Sequence, residues 1–180
     1  MSTAGRVIAI DPGLTGAIAV YHNGMLLQVY DMPTRVKSVT RKRNKTTGKM
    51  QNYMKYEVDA HALGGILHES LSNLTGTREC VIEKVAARPG QGVVSMFGFG
   101  DSFGVVRAIC AYLVGNENVH RVLPAQWKKH FGLIHQDKDT ARLKAIKLFG
   151  SFGGLLNRKK DIGRADAILI GLHHLEKGVN

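Results

Sequence analysis

Residues 6–20 read RVIAIDPGLTGAIAV, two apolar runs separated by a tight turn at Pro12-Gly13. The first run ends at Asp11, which places one carboxylate at the end of a predicted buried strand. An acidic side chain is costly to bury unless it has a partner such as a metal ion. Two further acids lie in similarly apolar stretches, Glu83 in CVIEKV and Asp166 in RADAILIGL. Three carboxylates inside apolar elements therefore predict a metal site.

The chain is strongly basic, with 25 Lys and Arg against 14 Asp and Glu among its 180 residues. A net charge of +11 favours a polyanionic partner, nucleic acid before an anionic membrane surface. The length predicts a single domain over residues 1–180. Cys80 and Cys110 lie in apolar stretches, so we expect buried free thiols. We find no secretory signal and no apolar run near membrane-spanning length, and we therefore expect a cytoplasmic protein without a membrane partner.

Apolar runs bounded by turn residues predict five strands, at residues 7–10, 16–21, 25–31, 79–85 and 119–123. Periodic segments predict helices at residues 57–71, 105–114, 124–129, 139–149 and 162–177. Strands first, then alternating helices and strands, indicate an α/β fold with a mixed sheet. Residues 35–55 hold eight Lys or Arg and no acid, and they lack periodicity. We interpret this segment as a flexible basic loop at about residues 34–56.

Five segments resemble, in the same order, the RuvC family of Holliday-junction resolvases: IAIDPGLTGAIAV, VIEKV, SMFGFGDSFGVVRAI, VLPAQWKK and GRADAILIGL. The resemblance extends over nearly the whole chain outside the basic loop. It implies an RNase H-like fold, with a central mixed five-stranded sheet flanked by helices, and a homodimer. It also implies two Mg²⁺ or Mn²⁺ ions per active site. The compact length resembles a phage or bacterial version, which would act in the bacterial host cell if phage-encoded.

By position, Asp11, Glu83 and Asp166 resemble the catalytic metal ligands of that family, on the first strand, the fourth strand and the final helix. The family's fourth ligand lies one helical turn before the last aspartate, where this chain has Gly163. Asp161 is the candidate substitute as a catalytic and metal-binding residue, and a helix N-cap is its alternative role. Each of the other acids also has an ordinary alternative, a turn cap for Asp11 and an ion pair with a nearby Lys or Arg for the other two.

Basic side chains in two places are candidate DNA-binding residues because they can neutralise phosphates and release counterions. The basic loop and the segment after Trp127 supply them: Arg41, Lys42, Arg43, Lys45, Lys49, Lys128 and Lys129. They have no obvious geometry for reading bases, so we expect them to give affinity and shape preference. The alternative is an ordinary solvated surface.

The leading hypothesis is a crossover junction endodeoxyribonuclease of DNA recombination and repair, a metal-dependent enzyme that nicks four-way junctions in pairs. Symmetric cutting requires two active sites and therefore a homodimer. One alternative is a broader nuclease for branched DNA such as flaps and forks. A second is a non-catalytic nucleic-acid-binding module, which the missing acid at Gly163 favours. The turn DPGLTG also fits actin-like sugar kinases, but the chain is too short for their two domains.

Overall fold

The computed structural model describes residues 5–72, 76–84, 86, 90 and 92–178. The strands within these ranges are β1 (Gly5–Asp11), β2 (Ala17–His22), β3 (Met25–Asp31), β4 (Thr34–Arg43), β5 (Met50–Val58), β6 (Thr77–Glu83) and β7 (Val119–Val122). Five strands form one sheet in the order β3-β2-β1-β6-β7. In this sheet β1 is antiparallel to β2 and parallel to β6. The predicted α/β fold with a mixed five-stranded sheet is therefore confirmed.

Helices cover both faces of this sheet. They are α1 (Ala60–Leu71), α2 (Val93–Val114), α3 (Pro124–His130), α4 (Lys138–Leu148) and α5 (Ile162–Lys177). Side chains alternate between the two faces of a strand. Accordingly, Ile8 and Ile10 of β1 belong to the core shared with α1 and α2. Val7 and Ala9 belong to the core shared with α4 and α5. Both cysteines are buried and free, as expected.

The basic segment is a β-hairpin, which corrects the prediction of a flexible loop. Strands β4 and β5 pair along their whole length, and nearly all of their side chains are exposed. At the base of the hairpin, Glu57 forms ion pairs with Arg35 at 2.8 Å and with Lys37 at 3.1 Å. At its tip, Asn44 Oδ1 accepts hydrogen bonds from the backbone N–H groups of Thr46 and Thr47. Backbone pairing and these local contacts order the segment without burying a hydrophobic face.

Helix α2 is twelve residues longer at its start than the sequence predicts, because it begins at Val93 rather than at residue 105. Its length and composition alone would allow it to cross a membrane, which corrects the expectation that no run approaches that length. Three of its side chains, Ser102, Val106 and Cys110, are buried against the rest of the fold. Much of its remaining apolar surface is exposed, including Tyr112 at 88%.

The backbone of α5 rests directly on the turn that follows β1. A Cβ atom at Gly163 would collide with the carbonyl oxygen of Thr15. A Cβ atom at Gly16 would collide with the carbonyl oxygen of Asp11, so the turn itself is also tightly closed. Only glycine fits these two close approaches. The contact fixes the start of α5, and with it Asp166, against the end of β1.

Two polar contacts reinforce the position of α5. The Tyr21 hydroxyl on β2 donates a hydrogen bond of 2.6 Å to the Ile168 carbonyl. The Arg164 guanidinium donates two hydrogen bonds of 2.6 Å to the Asp31 carboxylate at the end of β3. The helix is therefore held to three neighbouring strands by packing and hydrogen bonds together.

We expect Gly163→Ala to lower the free energy of unfolding by about 2–3 kcal/mol, because the added methyl group must displace backbone atoms. The matched control is Gly65→Ala on α1, where an added Cβ has nothing within 4 Å. That change should raise the free energy of unfolding by about 0.5–1 kcal/mol through helix propensity. Urea unfolding measures both values. Equal effects of the two substitutions would contradict the close approach at Gly163.

Candidate active site

The register between β1 and β6 brings two acids together. Ile10 pairs with Ile82 across these parallel strands. Asp11 and Glu83 are the next residues, so both carboxylates leave the carboxyl ends of adjacent strands. Asp166 joins them from near the start of α5. The charge of Glu83 contributes to the raised pKa of Asp11, and the charges of Asp11 and Glu83 contribute to the raised pKa of Asp166. The structure therefore brings together three of the four predicted acids.

Asp11 is held in a strongly desolvated position. Burial, and then the charge of Glu83, raise its pKa to about 6. The Gly13 backbone N–H donates to Asp11 Oδ1 at 3.4 Å and opposes this shift, as does the charge of Lys128. These favourable contacts are too weak to offset desolvation of the carboxylate.

The pKa of Asp166 is raised further than that of Asp11. Burial, and then the charge of Asp11, raise its pKa to about 7, although Lys128 and Lys138 act in the opposite direction. Its Oδ1 atom is buried and has no hydrogen-bond partner among the described residues. Buried polar atoms are normally paired, and an unpaired one requires an explanation such as a bound ion. A divalent cation would supply the missing partner and the missing positive charge at once.

Glu83 is oriented by the single tryptophan of the chain. Trp127 is fully buried, and its Nε1–H donates a hydrogen bond of 2.8 Å to Glu83 Oε1. The Lys128 ammonium lies 5.1 Å from the centre of the same indole ring. Helix α3 therefore positions both a carboxylate and a cation at the acidic cluster through one aromatic side chain.

A cleft of about 450 Å³ opens over Asp11 and Asp166. Lysines dominate its charged rim: Lys128, Lys138, Lys159 and Lys160. Of these, Lys128 is a predicted DNA-binding residue, whereas its predicted neighbour Lys129 is exposed and does not line the cleft. Sequence analysis did not single out the other three lysines, because the sequence around them does not show which surface of the fold they face.

Asp161 occupies a different place from the one predicted. It is buried, and its carboxylate accepts hydrogen bonds from the backbone N–H and the guanidinium of Arg158, at distances from 2.7 to 3.2 Å. The Arg158 guanidinium holds its pKa below the usual range. Within the described ranges, Asp161 is not among the residues that line the cleft. Its charge is compensated by Arg158, so the structure does not bring it together with the other three acids, and its role as a fourth metal-binding carboxylate stays a prediction.

Asp137 is a carboxylate on the wall of the cleft that sequence analysis did not single out. Its Oδ1 atom accepts a 2.8 Å hydrogen bond from the Asp139 backbone N–H at the start of α4. An aspartate followed by a helical segment is a common N-cap signal, so the capping role was readable from sequence. Its position on the wall of the cleft could not be predicted from the sequence.

The predicted basic residues of the hairpin all lie near its tip and are exposed: Arg41, Lys42, Arg43, Lys45 and Lys49. The base of the hairpin meets α2 through Lys37, whose ammonium lies 3.5 Å from the Asp101 carboxylate. A groove of about 490 Å³ separates the two elements, and Leu14 of the turn after Asp11 also lines it. The hairpin therefore extends from a groove beside the acidic cluster out into solvent.

No protein-family model matches the chain, and no curated protein sequence matches it. Solved structures are similar to it, and two of them are RuvC structures. The Thermus thermophilus RuvC structure is 18% identical, with 97% of this chain and 96% of that one covered and a TM-score of 0.49. T. thermophilus RuvC in complex with Holliday junction substrate is 17% identical, with 96% and 94% covered and a TM-score of 0.51. The second similarity shows that the chain has the RuvC fold, which is RNase H-like.

The raised pKa of Asp166 predicts a stability that depends on pH. Its folded pKa of about 7 exceeds the ordinary value of 3.8, so between these values the folded state binds more protons than the unfolded state. Stability must therefore fall as pH rises through this window. In a chelator at pH 8, Asp166→Asn should raise the free energy of unfolding by about 1–3 kcal/mol, because it removes an uncompensated buried charge.

The matched control is Asp161→Asn. The pKa of Asp161 is lowered by Arg158, so the loss of its charge should reduce stability at pH 8. Urea unfolding at pH 4 and pH 8 measures both effects, and the gain from Asp166→Asn should disappear at the lower pH. A loss of stability in Asp166→Asn at pH 8 would show that its charge is compensated within the protein.

Proposed function

We propose that this protein is a metal-dependent, structure-selective DNA endonuclease that resolves four-way junctions by paired nicks. One observation carries the proposal. Asp11, Glu83 and Asp166 converge beside a lysine-lined cleft, with two raised pKa values and a buried oxygen atom that lacks a partner. The fold that it shares with RuvC, a protein solved in complex with Holliday junction substrate, supports the choice of substrate.

The donor set fits divalent cations such as Mg²⁺ or Mn²⁺, which prefer carboxylate oxygen ligands. Asp11, Glu83 and Asp166 would hold them, and two ions per site is the number proposed. When bound, such ions supply Lewis-acid activation of a water nucleophile and stabilisation of the leaving 3′ oxygen. Cation binding would offset the desolvation and the repulsion that raise the pKa values of Asp11 and Asp166, and it would compete with their protons, so metal affinity should increase with pH.

Other residues of the protein would orient the carboxylates and bind the DNA phosphates. Trp127 fixes Glu83 through Oε1, and Oε2 of that carboxylate would bind a cation. Lys128 and Lys138 lie on the cleft close enough to lower the pKa of Asp166, and they would bind the phosphates beside the cleaved bond. Phosphodiester cleavage at this site would leave a 5′-phosphate and a 3′-hydroxyl, which are ends that a ligase can rejoin.

The hairpin would bind the arms of branched DNA. The basic residues at its tip are exposed and near one another, which suits contacts with phosphates. Exposed Phe97 on α2 and Tyr56 on β5 line the groove at the hairpin base and could stack on unpaired bases near a branch point. Contacts with phosphates and stacking on unpaired bases would select DNA by its shape and not by its sequence.

We also propose a homodimer, because paired nicks need two active sites. Helix α2 supports this assembly by its exposed apolar surface. Val93 and Val94 are each 77% exposed, and Tyr112 is 88% exposed. Apolar surface of this extent on one helix is typical of an interaction site.

Two other functions remain alternatives. A nuclease for flaps and forks would use the same acids with a less restrictive DNA-binding surface. A non-catalytic junction-binding module is favoured by one observation. The position of the resembled family's fourth ligand is Gly163, where the backbone contact with Thr15 leaves no space for any side chain.

The first test is cleavage of a labelled immobile four-way junction, with duplex, flap and fork DNA as comparisons. With Mg²⁺ we expect paired nicks in the junction, and Asp11→Asn should reduce their rate by about 100-fold or more because it removes a central ligand. The matched control is Glu117→Gln, an exposed acid outside the cleft, which should cleave like the natural chain. Emission from Trp127 should change as Mg²⁺ is added, because the indole contacts Glu83.

Each other outcome of this assay has a definite meaning. Equal cleavage of flaps and forks would replace the junction resolvase by a broader branch nuclease. Tight junction binding without cleavage in Mg²⁺ or Mn²⁺ would favour the binding module. Unpaired nicks would contradict the homodimer.

The hairpin is tested by replacing its five tip cations, Arg41, Lys42, Arg43, Lys45 and Lys49, with Gln. We expect junction affinity to fall, and the slope of log K against log salt to decrease by about 0.9 for each phosphate that the variant no longer neutralises. Lys147→Gln on α4 is the matched control for one exposed cation away from the hairpin. Fluorescence anisotropy over a range of salt concentrations measures both slopes. An unchanged slope in the five-site variant would show that the hairpin does not bind DNA phosphates.

A further inference from the structure

A second cluster of potential metal ligands lies at the opposite end of the sheet from the acidic cluster. It consists of Glu79 on β6, His120 on β7 and His174 on α5. Glu79 Oε2 is 2.7 Å from His174 Nε2 and 3.2 Å from His120 Nε2. One donor atom from each residue lies within 4.8 Å of the other two. A single carboxylate oxygen is therefore shared by two imidazole nitrogen atoms.

The register of the sheet explains why these side chains meet. Glu79 and Val81 point to the same face of β6, and Val81 pairs with His120 across the parallel ladder. Val81 belongs to the core that α5 covers, so all three side chains face that helix. His174 projects from α5 onto the same region. The donors therefore come from two paired strands and a helix, which are rigid elements.

Their distance from the acidic cluster follows from the same elements. Glu79 precedes Glu83 by four residues, which is about 13 Å along a strand. His174 follows Asp166 by eight residues, which is about 12 Å along a helix. The two groups of ligands therefore cannot share one ion.

We propose that Glu79, His120 and His174 form a site for a divalent transition metal, Zn²⁺, that fastens the end of α5 to β6 and β7. Two imidazoles and one carboxylate are a common ligand set for Zn²⁺, with water or a small anion in the fourth position. Ligands at bond lengths of 2.0–2.1 Å in tetrahedral geometry are about 3.3 Å apart. The two separations from Glu79 differ from that value by about 0.1 and 0.6 Å. The two imidazole donor atoms lie within 4.8 Å of each other, so metal binding would also require the two rings to adjust.

The surroundings fit the open fourth position. A cavity of about 180 Å³ adjoins His120 and His174, which leaves room for a water ligand. Arg121 and Lys177 also line this cavity, and their positive charges favour a hydroxide or a small anion there. Imidazole nitrogen selects Zn²⁺ over Mg²⁺, the ion proposed for the acidic cluster. The same chain would thus hold two kinds of metal at two ends of one sheet.

Such a site would stabilise the fold. Strand β7 has only four residues and lies at the edge of the sheet, where β6 is its one partner among the described strands. A metal that binds the folded state but not the unfolded state stabilises the fold in proportion to its occupancy. Here it would join an edge strand to the helix that carries Asp166.

Co²⁺ titration of the full chain tests the proposal, because tetrahedral Co²⁺ with imidazole ligands absorbs visible light strongly and octahedral Co²⁺ with carboxylate ligands absorbs weakly. We expect one equivalent of tetrahedral Co²⁺ per chain, displaced by Zn²⁺ but not by Mg²⁺. Zn²⁺ should also raise the thermal midpoint by about 3 °C or more. His174→Ala and Glu79→Gln should abolish both effects.

Two controls separate this site from others. His68→Ala removes an exposed histidine of α1 and should leave the Co²⁺ spectrum unchanged. Asp11→Asn disables the acidic cluster and should also leave it unchanged, so failure of the proposed nuclease function would not affect this result. Circular dichroism establishes that each variant is folded. The proposal is overturned if the natural chain gives no tetrahedral spectrum, if the spectrum survives in His174→Ala, or if it is abolished in Asp11→Asn.

Discussion

The backbone of α5 lies against the backbone of the turn after β1, and the candidate active site depends on that contact. Gly163 and Gly16 allow the approach because any side chain at either position would collide with a carbonyl oxygen. The parallel register of β1 and β6 places two carboxylates side by side, and the helix contact adds the third. Local geometry explains why position 163 carries no acid, since the space that a fourth carboxylate would need is filled by the chain itself.

This arrangement is electrostatically unfavourable in the isolated protein. Asp11 and Asp166 have raised pKa values because each is desolvated near other carboxylates, and the nearby lysines compensate only in part. Ion-paired acids such as Asp161 show the opposite shift. A site that destabilises the fold in this way is typical of function rather than of structure. The contrast between Asp161 and Asp166, five residues apart, separates the two roles within one short segment.

Much of the fold was predictable because buried strands and helices leave clear apolar patterns. Asp11, Glu83 and Asp166 stood out as acids inside such patterns, but the pairing of β1 with β6 and the contact of α5 with the turn after β1 decided whether they would meet. The hairpin was not predictable in this way, because both of its faces are exposed and no apolar period marks its strands. The start of α2 was not predictable because glycines interrupt its helical pattern. The ion pair of Asp161 was not predictable because an arginine three residues away gives no unique signal. The lysines that line the cleft from α4 and from the turn before α5 could be identified only from the tertiary structure.

The order of the elements along the chain has a consequence for biosynthesis. Strand β1 emerges from the ribosome early, but α5, which covers one face of it, is the last of the described elements to be made. Until α5 is complete, the apolar face of β1 and β2 lacks part of its cover and Asp11 has no neighbour from that helix. A nascent chain stalled before α5 would thus already carry the basic hairpin but not the full carboxylate set. During translation, the surface that would bind DNA is therefore synthesised well before the helix that completes the carboxylates that would cut it.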